Sequence, residues 1–215
     1  MNDQQQSLET LKDIKRIMER SSRFISLSGI SGISAGICAL IGAWLAQDYV
    51  IGYKDLMIIR NTGGYDNIPT NFDLIINNKL LWIAAGTLMA AIISAWFFTW
   101  IKIKKDGIPI WGRSAIRLLI NLSIPLIVGA IFLYKLIHFG TFGLIAPGCL
   151  IFYGLALINA SKYTMDYVRY LGYCQILLGI INLWFVGYGL YFWALGFGVL
   201  HIIYGAWCSW KYDKD

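Results

Sequence analysis

The chain has 215 residues, of which 58% are hydrophobic and only 14% are charged, and its formal net charge is +6. Soluble domains average roughly 45–50% apolar and about 25% charged residues, so this chain has too few charges to cover a soluble surface of its size. The composition excludes a disordered tail, a nucleic-acid-binding protein and a secreted disulfide scaffold, and it predicts an integral membrane protein.

Long uncharged runs set the expected number of transmembrane helices. A helix needs about 20 apolar residues to cross the hydrocarbon layer. The charged residues leave uncharged runs at 24–47, 80–101, 118–134, 136–161 and 170–210. The last run is long enough for two spans, with a glycine-containing turn at Gly187 and Gly189 near its middle. The runs are continuously apolar rather than alternating, so the predicted fold class is all-α, a polytopic membrane protein with a six-transmembrane-helix bundle.

The predicted elements follow in chain order. In residues 1–23, apolar side chains recur at helical spacing among five basic residues, which predicts a cytoplasmic amphipathic helix resting on anionic headgroups. A simple topology anchor is the alternative. The transmembrane domain, 24–210, is predicted to contain helices at about 24–46, 72–104 (starting outside the membrane), 113–137, 142–161, 166–187 and 190–210. Residues 47–71 are predicted as an extracytoplasmic loop and 211–215 as a cytoplasmic tail.

The first predicted helix is rich in small residues. Several recur at four-residue spacing and form the expected helix-packing set: Ser28, Gly32, Gly36, Ala39 and Ala43. Close backbone approach through small residues is the main route to helix association in lipid, where hydrophobic driving force is missing. We therefore expect this helix at the centre of the bundle, in contact with two neighbours. A dimer face is the alternative.

The third predicted helix contains Pro125. Proline lacks an N–H group, so it leaves one carbonyl of the preceding turn without its helical donor. Within a membrane, such a carbonyl is satisfied by neighbouring groups. We expect a kink or a compensating contact at this position.

Basic residues indicate the orientation. The side that holds the N-terminus, residues 102–117, residues 162–169 and the C-terminus carries 14 Lys and Arg, whereas the other side carries 4. Because Lys and Arg accumulate on the cytoplasmic side, both termini are predicted to be cytoplasmic. Isoleucine exceeds leucine, and Asn and Lys are frequent, which is typical of an AT-rich bacterial genome. The predicted location is thus the bacterial cytoplasmic (inner) membrane.

Ionisable residues are nearly missing from the predicted span interiors. No Asp, Glu, Lys or Arg lies deep within a span, which disfavours an ion-coupled carrier. His201 lies near mid-membrane and is therefore a candidate functional residue. Gln175 and Asn182, seven residues apart, share a face of the fifth helix, and folding the last two helices together predicts a Gln175–His201 hydrogen bond.

The candidate polar cluster combines these residues with two amides of the third and fourth helices. Its members are Gln175, Asn182, His201, Asn121 and Asn159. These side chains act either as polar contacts between helices or as the lining of a small cavity open to the cytoplasm.

Catalytic motifs are missing from the sequence. It contains no phosphate-binding glycine loop followed by lysine, no paired ligand spacing for a metal, and four cysteines that all fall inside predicted spans. We predict no cofactor and no enzymatic activity. The leading hypothesis is a non-enzymatic interaction, sensor or regulatory membrane protein, with anionic lipid and a homo-oligomer or protein partner. The alternatives are a small channel or carrier with a cavity around His201 and, third, a lipid-modifying enzyme.

Overall fold

The structure is a computed structural model, and it describes residues 29–61, 79–106 and 112–212. Within these ranges the chain is helical and contains no strand, so the all-α prediction is confirmed for them. The six helices are α1 Gly29–Asn61, α2 Lys79–Asp106, α3 Arg113–His138, α4 Ile145–Ala160, α5 Tyr167–Trp184 and α6 189–212. Short 3-10 turns flank α4 and α5, at Phe142–Leu144, Ser161–Tyr163 and Val186–Tyr188. Helix α6 consists of Gly189–Trp193, a π-helical segment Ala194–Leu200 and His201–Tyr212.

Five of the helical segments are long and apolar enough to cross a membrane. They are Gly29–Tyr49, Lys79–Lys105, Ser114–His138, Phe142–Tyr163 and Val186–Trp210. Helix α5 is not among them, because its 18 residues include Arg169, Gln175 and Asn182. The chain is thus consistent with a multi-pass membrane protein.

Helix α1 is longer than the sequence indicated. Residues 47–71 were expected to form a loop, but α1 continues to Asn61. Charged residues such as Asp48 and Lys54 end an apolar span, yet they do not end a helix, and Gly63-Gly64 is the first strong helix-breaking pair. The predicted N-terminal helix 1–23, the rest of the predicted loop and residues 213–215 lie outside the described residues.

Helices α2 and α3 each pack mainly against one other described helix, α1 and α4 respectively. Helix α1 packs between α2 and α6, and α4 packs against α3, α5 and α6. An apolar core centred on Leu157, Val168 and Leu171 joins α4 to α5, with side chains of α3 and α6 packed around it. The centre of the molecule is therefore formed by α1, α4, α5 and α6.

Glycines allow the closest helix contacts. A Cβ atom on Gly36 of α1 would lie 2.7 Å from the Gly198 carbonyl oxygen of α6. A Cβ on Gly154 of α4 would lie equally close, at 2.7 Å, to the Gly172 carbonyl oxygen of α5. Any larger residue at these positions would push the backbones apart.

The small residues singled out in α1 lie at different contacts. Gly32 and Gly36 face α6, and Ala39 and Ala43 are buried. Ser28 lies outside the described residues. The contact with α2 uses Gly42 instead, against the Thr87 side chain.

Candidate functional site

The Gly196 carbonyl of α6 is the meeting point of two polar side chains. Gln175 of α5 donates to it from Nε2 at 2.7 Å, and His201 Nδ1 lies 3.0 Å from the same oxygen. Both side chains are buried, with Gln175 0% and His201 9% exposed. The expected direct Gln175–His201 bond is therefore replaced by a shared acceptor, because the glycine carbonyl lies between the two side chains.

This shared acceptor fixes the state of the imidazole. A carbonyl oxygen only accepts, so Nδ1 of His201 carries the hydrogen. In the neutral ring, Nε2 is then an acceptor, and the Tyr153 hydroxyl of α4 donates to it at 2.8 Å. His201 consequently connects α4 to the α5–α6 hairpin, with both of its nitrogens engaged.

Aromatic rings enclose the imidazole. It stacks on the Tyr153 ring at a centroid distance of 5.5 Å and on the Phe197 ring at 6.1 Å. Phe197 also contacts Tyr153 and Trp193, at 5.1 and 5.2 Å. The polar centre is thus surrounded by apolar surface, where hydrogen bonds are electrostatically stronger than in water.

The π-helical segment positions the shared acceptor. In a π-helix the backbone hydrogen bonds span five residues instead of four, and such segments inside α-helices occur frequently at functional sites. Gly196 lies within this segment, and a Cβ atom there would lie 2.6 Å from Gln175 Oε1 and against Leu150. Any larger residue at this position would displace the Gln175 amide or the end of the Leu150 side chain.

Asn182 occupies a second buried polar position on the same face of α5. It is 0% exposed, and neither of its side-chain polar atoms has a hydrogen-bond partner within the described part of the chain. The Gln175 Oε1 atom is likewise without a partner there. Three polar atoms of α5 therefore face the interior unpaired.

Asn121 and Asn159 form a separate polar contact, between α3 and α4. Pro125 provides no N–H for the carbonyl of Asn121, four residues earlier. Asn159 Nδ2 donates to this carbonyl at 2.9 Å. The Asn121 side chain bonds its own helix, donating to the Arg117 carbonyl at 2.8 Å. The compensation expected for Pro125 is therefore present.

The hydrogen bonds divide the candidate cluster into three groups. Gln175 and His201 share an acceptor, Asn159 binds Asn121 across α3 and α4, and Asn182 has no partner among the described residues. Tyr153 and Gly196 were not predicted as parts of this site. The glycine-rich stretch just before His201 was the available signal for Gly196, whereas nothing distinguished Tyr153 from the other tyrosines.

Two cysteines add contacts between α5 and α6. Cys174 Sγ lies 3.6 Å from the Tyr204 hydroxyl, and Cys208 donates to the Tyr167 hydroxyl at 3.0 Å. None of the four cysteines, all of which lie within the described residues, forms a disulfide. Among the residues that the structure describes, no group of three or more His, Cys, Asp or Glu side chains is arranged to hold a metal ion.

The chemistry of this region is that of a hydrogen-bonded junction. Each nitrogen of His201 is bound to a protein group: Nδ1 to the Gly196 carbonyl of α6 and Nε2 to the Tyr153 hydroxyl of α4. No family model, curated protein or solved structure matches the chain.

Proposed function

We propose that the chain is a six-span protein of the bacterial cytoplasmic membrane that acts by binding another membrane protein rather than by catalysis. Both termini face the cytoplasm in this proposal, in agreement with the 14 to 4 distribution of Lys and Arg. A scaffold, sensor or regulatory subunit fits this description.

The sixth span in this proposal is α5, whose two amides and exposed apolar side chains lie on different faces of the helix. Its two amides, Gln175 and Asn182, are fully buried against neighbouring helices. Its exposed side chains are instead mainly apolar or aromatic, such as Leu177, Ile180 and Trp184. A helix of this kind presents an apolar surface to lipid while its polar groups stay inside the bundle.

The observation that carries the proposal is the one-sided packing of α2. Among the described helices, α2 makes extensive contact with α1 alone, and its most apolar stretch contains no buried residue. Large side chains such as Trp82, Ile93 and Trp96 are more than half exposed. A Cβ on Gly86 would meet nothing within 4 Å. This surface fits a transmembrane helix of a partner, because a glycine lets two backbones approach closely.

The polar interior supports this choice over catalysis. A catalytic base needs a free nitrogen or carboxylate within reach of its substrate. In His201 both nitrogens are bound to groups of the bundle. The interior of the described helices is thus arranged for holding helices together.

Anionic lipid is the second proposed partner. Exposed basic side chains lie at the end of the bundle where α2 ends and α3 begins, and where α4 ends and α5 begins: Lys104, Lys105, Arg117, Lys162 and Arg169. Each basic group near an anionic membrane surface contributes about 1 kcal/mol of attraction. Lys104 also lies over the Trp100 ring, with its Nζ 5.4 Å from the centroid.

The test is extraction of the tagged chain from its native membrane in a lipid-preserving polymer, followed by measurement of mass and composition. We expect a complex larger than the 24.3 kDa chain, with a second transmembrane protein in fixed ratio. We expect Gly86→Leu to lose the partner, because the larger side chain prevents close approach of the partner's helix. The variant should still fold, since a Cβ at this position meets nothing within 4 Å in the described chain. The matched control is Ala130→Leu, which adds the same side chain to an exposed position of α3.

Three outcomes would contradict the proposal. Extraction of the wild-type chain alone would remove the interaction role. Retention of the partner by Gly86→Leu, to the same extent as by Ala130→Leu, would exclude α2 as the contact. A complex built only of this chain, recognised by its mass, would replace the foreign partner by a second copy.

A small carrier is the second candidate function, and the unpaired amide of Asn182 favours it. Buried polar groups without partners in the described chain are expected where a polar solute passes. The same purified chain, reconstituted into liposomes, distinguishes this candidate: release of trapped small solutes would favour a carrier, and retention would exclude it.

A further inference from the structure

Asn182 is the most costly unpaired residue in the described structure. Its amide has two N–H donors and one carbonyl acceptor, all of them removed from solvent and without a protein partner there. Burying an amide without compensation is strongly unfavourable. Such groups in folded proteins are normally paired, either with protein or with ordered water.

The surroundings of Asn182 come from three helices. One turn earlier on α5, a Cβ on Gly179 would lie 3.0 Å from the Pro147 carbonyl oxygen of α4. Across the hairpin, a Cβ on Gly189 of α6 would lie 4.0 Å from Asn182 Nδ2 and 3.0 Å from the Ala146 side chain. Asn182 is therefore enclosed by the start of α4 and the start of α6.

Gln175 provides an internal comparison at an equivalent position. Gln175 lies opposite Gly196, and Asn182 lies opposite Gly189, each pair seven residues from the other on both helices. At the first position the longer amide reaches a backbone carbonyl of α6 directly, at 2.7 Å. At the second, asparagine is one methylene shorter, and it reaches none.

A backbone acceptor lies in the same region. Pro147 has no N–H to offer to the carbonyl of Gly143, four residues earlier. Gly143 lies in the turn before α4, and a Cβ there would contact the Val186 side chain of the α5–α6 turn. Along the chain, Asn182 lies between two residues that contact the start of α4. Gly179 lies against Pro147, and Val186 lies against Gly143.

We propose that Asn182 binds an ordered water molecule that joins α5 to the beginnings of α4 and α6. The required occupant both donates and accepts hydrogen bonds and is uncharged, because the described part of the site has amide and carbonyl groups as its polar atoms. Water meets these conditions, and internal waters typically satisfy two to four polar groups that the protein leaves unpaired.

Substitution by a residue of similar volume gives opposite results for a hydrated and an unpaired asparagine. If water satisfies the amide, Asn182→Leu removes its hydrogen bonds, and we expect the unfolding midpoint of the purified protein to fall by several degrees. If the amide is unpaired, the same substitution relieves a desolvation cost and raises the midpoint. A raised or unchanged midpoint would overturn the proposal.

A methyl group placed beside the site also tests the water. We expect Gly189→Ala to lower the midpoint more in the wild type than in an Asn182→Leu background, where its close contact with the Ala146 side chain remains but the water is already lost. The matched control is Gly187→Ala in the same turn, where a Cβ meets nothing within 4 Å. Equal midpoints for the two variants would contradict the proposal.

Hydroxyl-radical labelling detects the water directly, even if the variants fail to fold. Radicals generated by X-rays from a bound water modify adjacent side chains that bulk solvent does not reach. We expect modification of the buried Pro147 in the wild type and its loss in Asn182→Leu or Gly189→Ala. Leu157, in the apolar core, is the unmodified control. Labelling of Pro147 no stronger than that of Leu157 in the wild type would exclude the water.

Discussion

The N–H group that Pro125 lacks explains one polar contact between α3 and α4. Pro125 deprives the Asn121 carbonyl of its helical donor, and Asn159 supplies a replacement at 2.9 Å. A carbonyl without a donor is unfavourable in a membrane interior, so the amide and the proline depend on each other. The sequence predicts the need for such a donor, but the partner depends on the packing of α3 against α4.

This dependence predicts a non-additive pair of substitutions. Asn159→Leu alone should destabilise the folded protein by about 1 kcal/mol, within the range measured for hydrogen bonds between membrane helices. In a Pro125→Ala background the new N–H can bind the Asn121 carbonyl, so the cost of Asn159→Leu should fall towards zero. Reversible unfolding in micelles measures all four corners of the cycle. Equal costs of Asn159→Leu in both backgrounds would refute the dependence.

At the scale of the element, the contact between α1 and α6 depends on facing glycines. A Cβ on Gly205 of α6 would lie 2.6 Å from the Gly29 carbonyl oxygen and 2.7 Å from the Ile33 backbone nitrogen. Both neighbours are backbone atoms, which move only with their helix. The helices therefore have to separate to accommodate any side chain at Gly205.

We predict that Gly205→Ala destabilises the protein by roughly 1–3 kcal/mol, the usual cost of overpacking. Gly86→Ala, at a helical glycine with open space around it, should change stability by less than about 1 kcal/mol and in the favourable direction. Thermal unfolding of the two purified variants in the same detergent measures the difference. A similar midpoint for both would mean that the α1–α6 contact does not depend on this close approach.

The elements show where sequence reasoning succeeds and where it stops. The uncharged runs with their flanking residues predicted α3 at 113–137, and the structure has it at Arg113–His138. They placed the end of α1 too early, because charge marks the end of a span rather than the end of a helix. They gave no sign of the π-helical segment, since an inserted residue leaves no trace in a helix that is apolar on every side.

At the scale of the whole molecule, the excess charge of the sequence lies on one side of the proposed topology. That side carries 14 basic and 8 acidic residues, and the other carries 4 of each. The net charge of +6 therefore belongs entirely to the proposed cytoplasmic face, where it favours contact with anionic headgroups.

This topology predicts the accessibility of two exposed turns. Phe139→Cys, at the end of α3, should react with a membrane-impermeant maleimide in intact cells, whereas Lys162→Cys, at the end of α4, should react only after permeabilisation. The wild-type chain, with its four native cysteines, is the background control. The reverse pattern would show that the proposed orientation is wrong. Labelling of both turns in intact cells would show that α4 does not cross the membrane between them.

Only part of the candidate site could be predicted from the sequence, because its hydrogen-bond partners come from different helices of the bundle. His201, Gln175 and Asn182 stand out because polar groups are costly in spans. Their partners do not stand out, because a glycine carbonyl and a tyrosine hydroxyl become special only when α4, α5 and α6 come together. Composition can locate the groups that need partners, and packing decides which partners they find.

The π-helical segment Ala194–Leu200 also changes the phase of α6. Each residue of an α-helix advances about 100° around the axis, so one additional residue in a turn rotates everything that follows by that angle. Gly189, before the segment, and Gly196, within it, lie towards Asn182 and Gln175 of α5, whereas Gly198, also within it, and Gly205, after it, lie against α1. Helix α6 therefore contacts two partners with different faces, and the face towards α1 continues beyond the segment. The orientation of the second half of α6 therefore depends on the number of residues in this segment. A one-residue deletion there would turn Gly205 away from α1 without altering the apolar character of the helix.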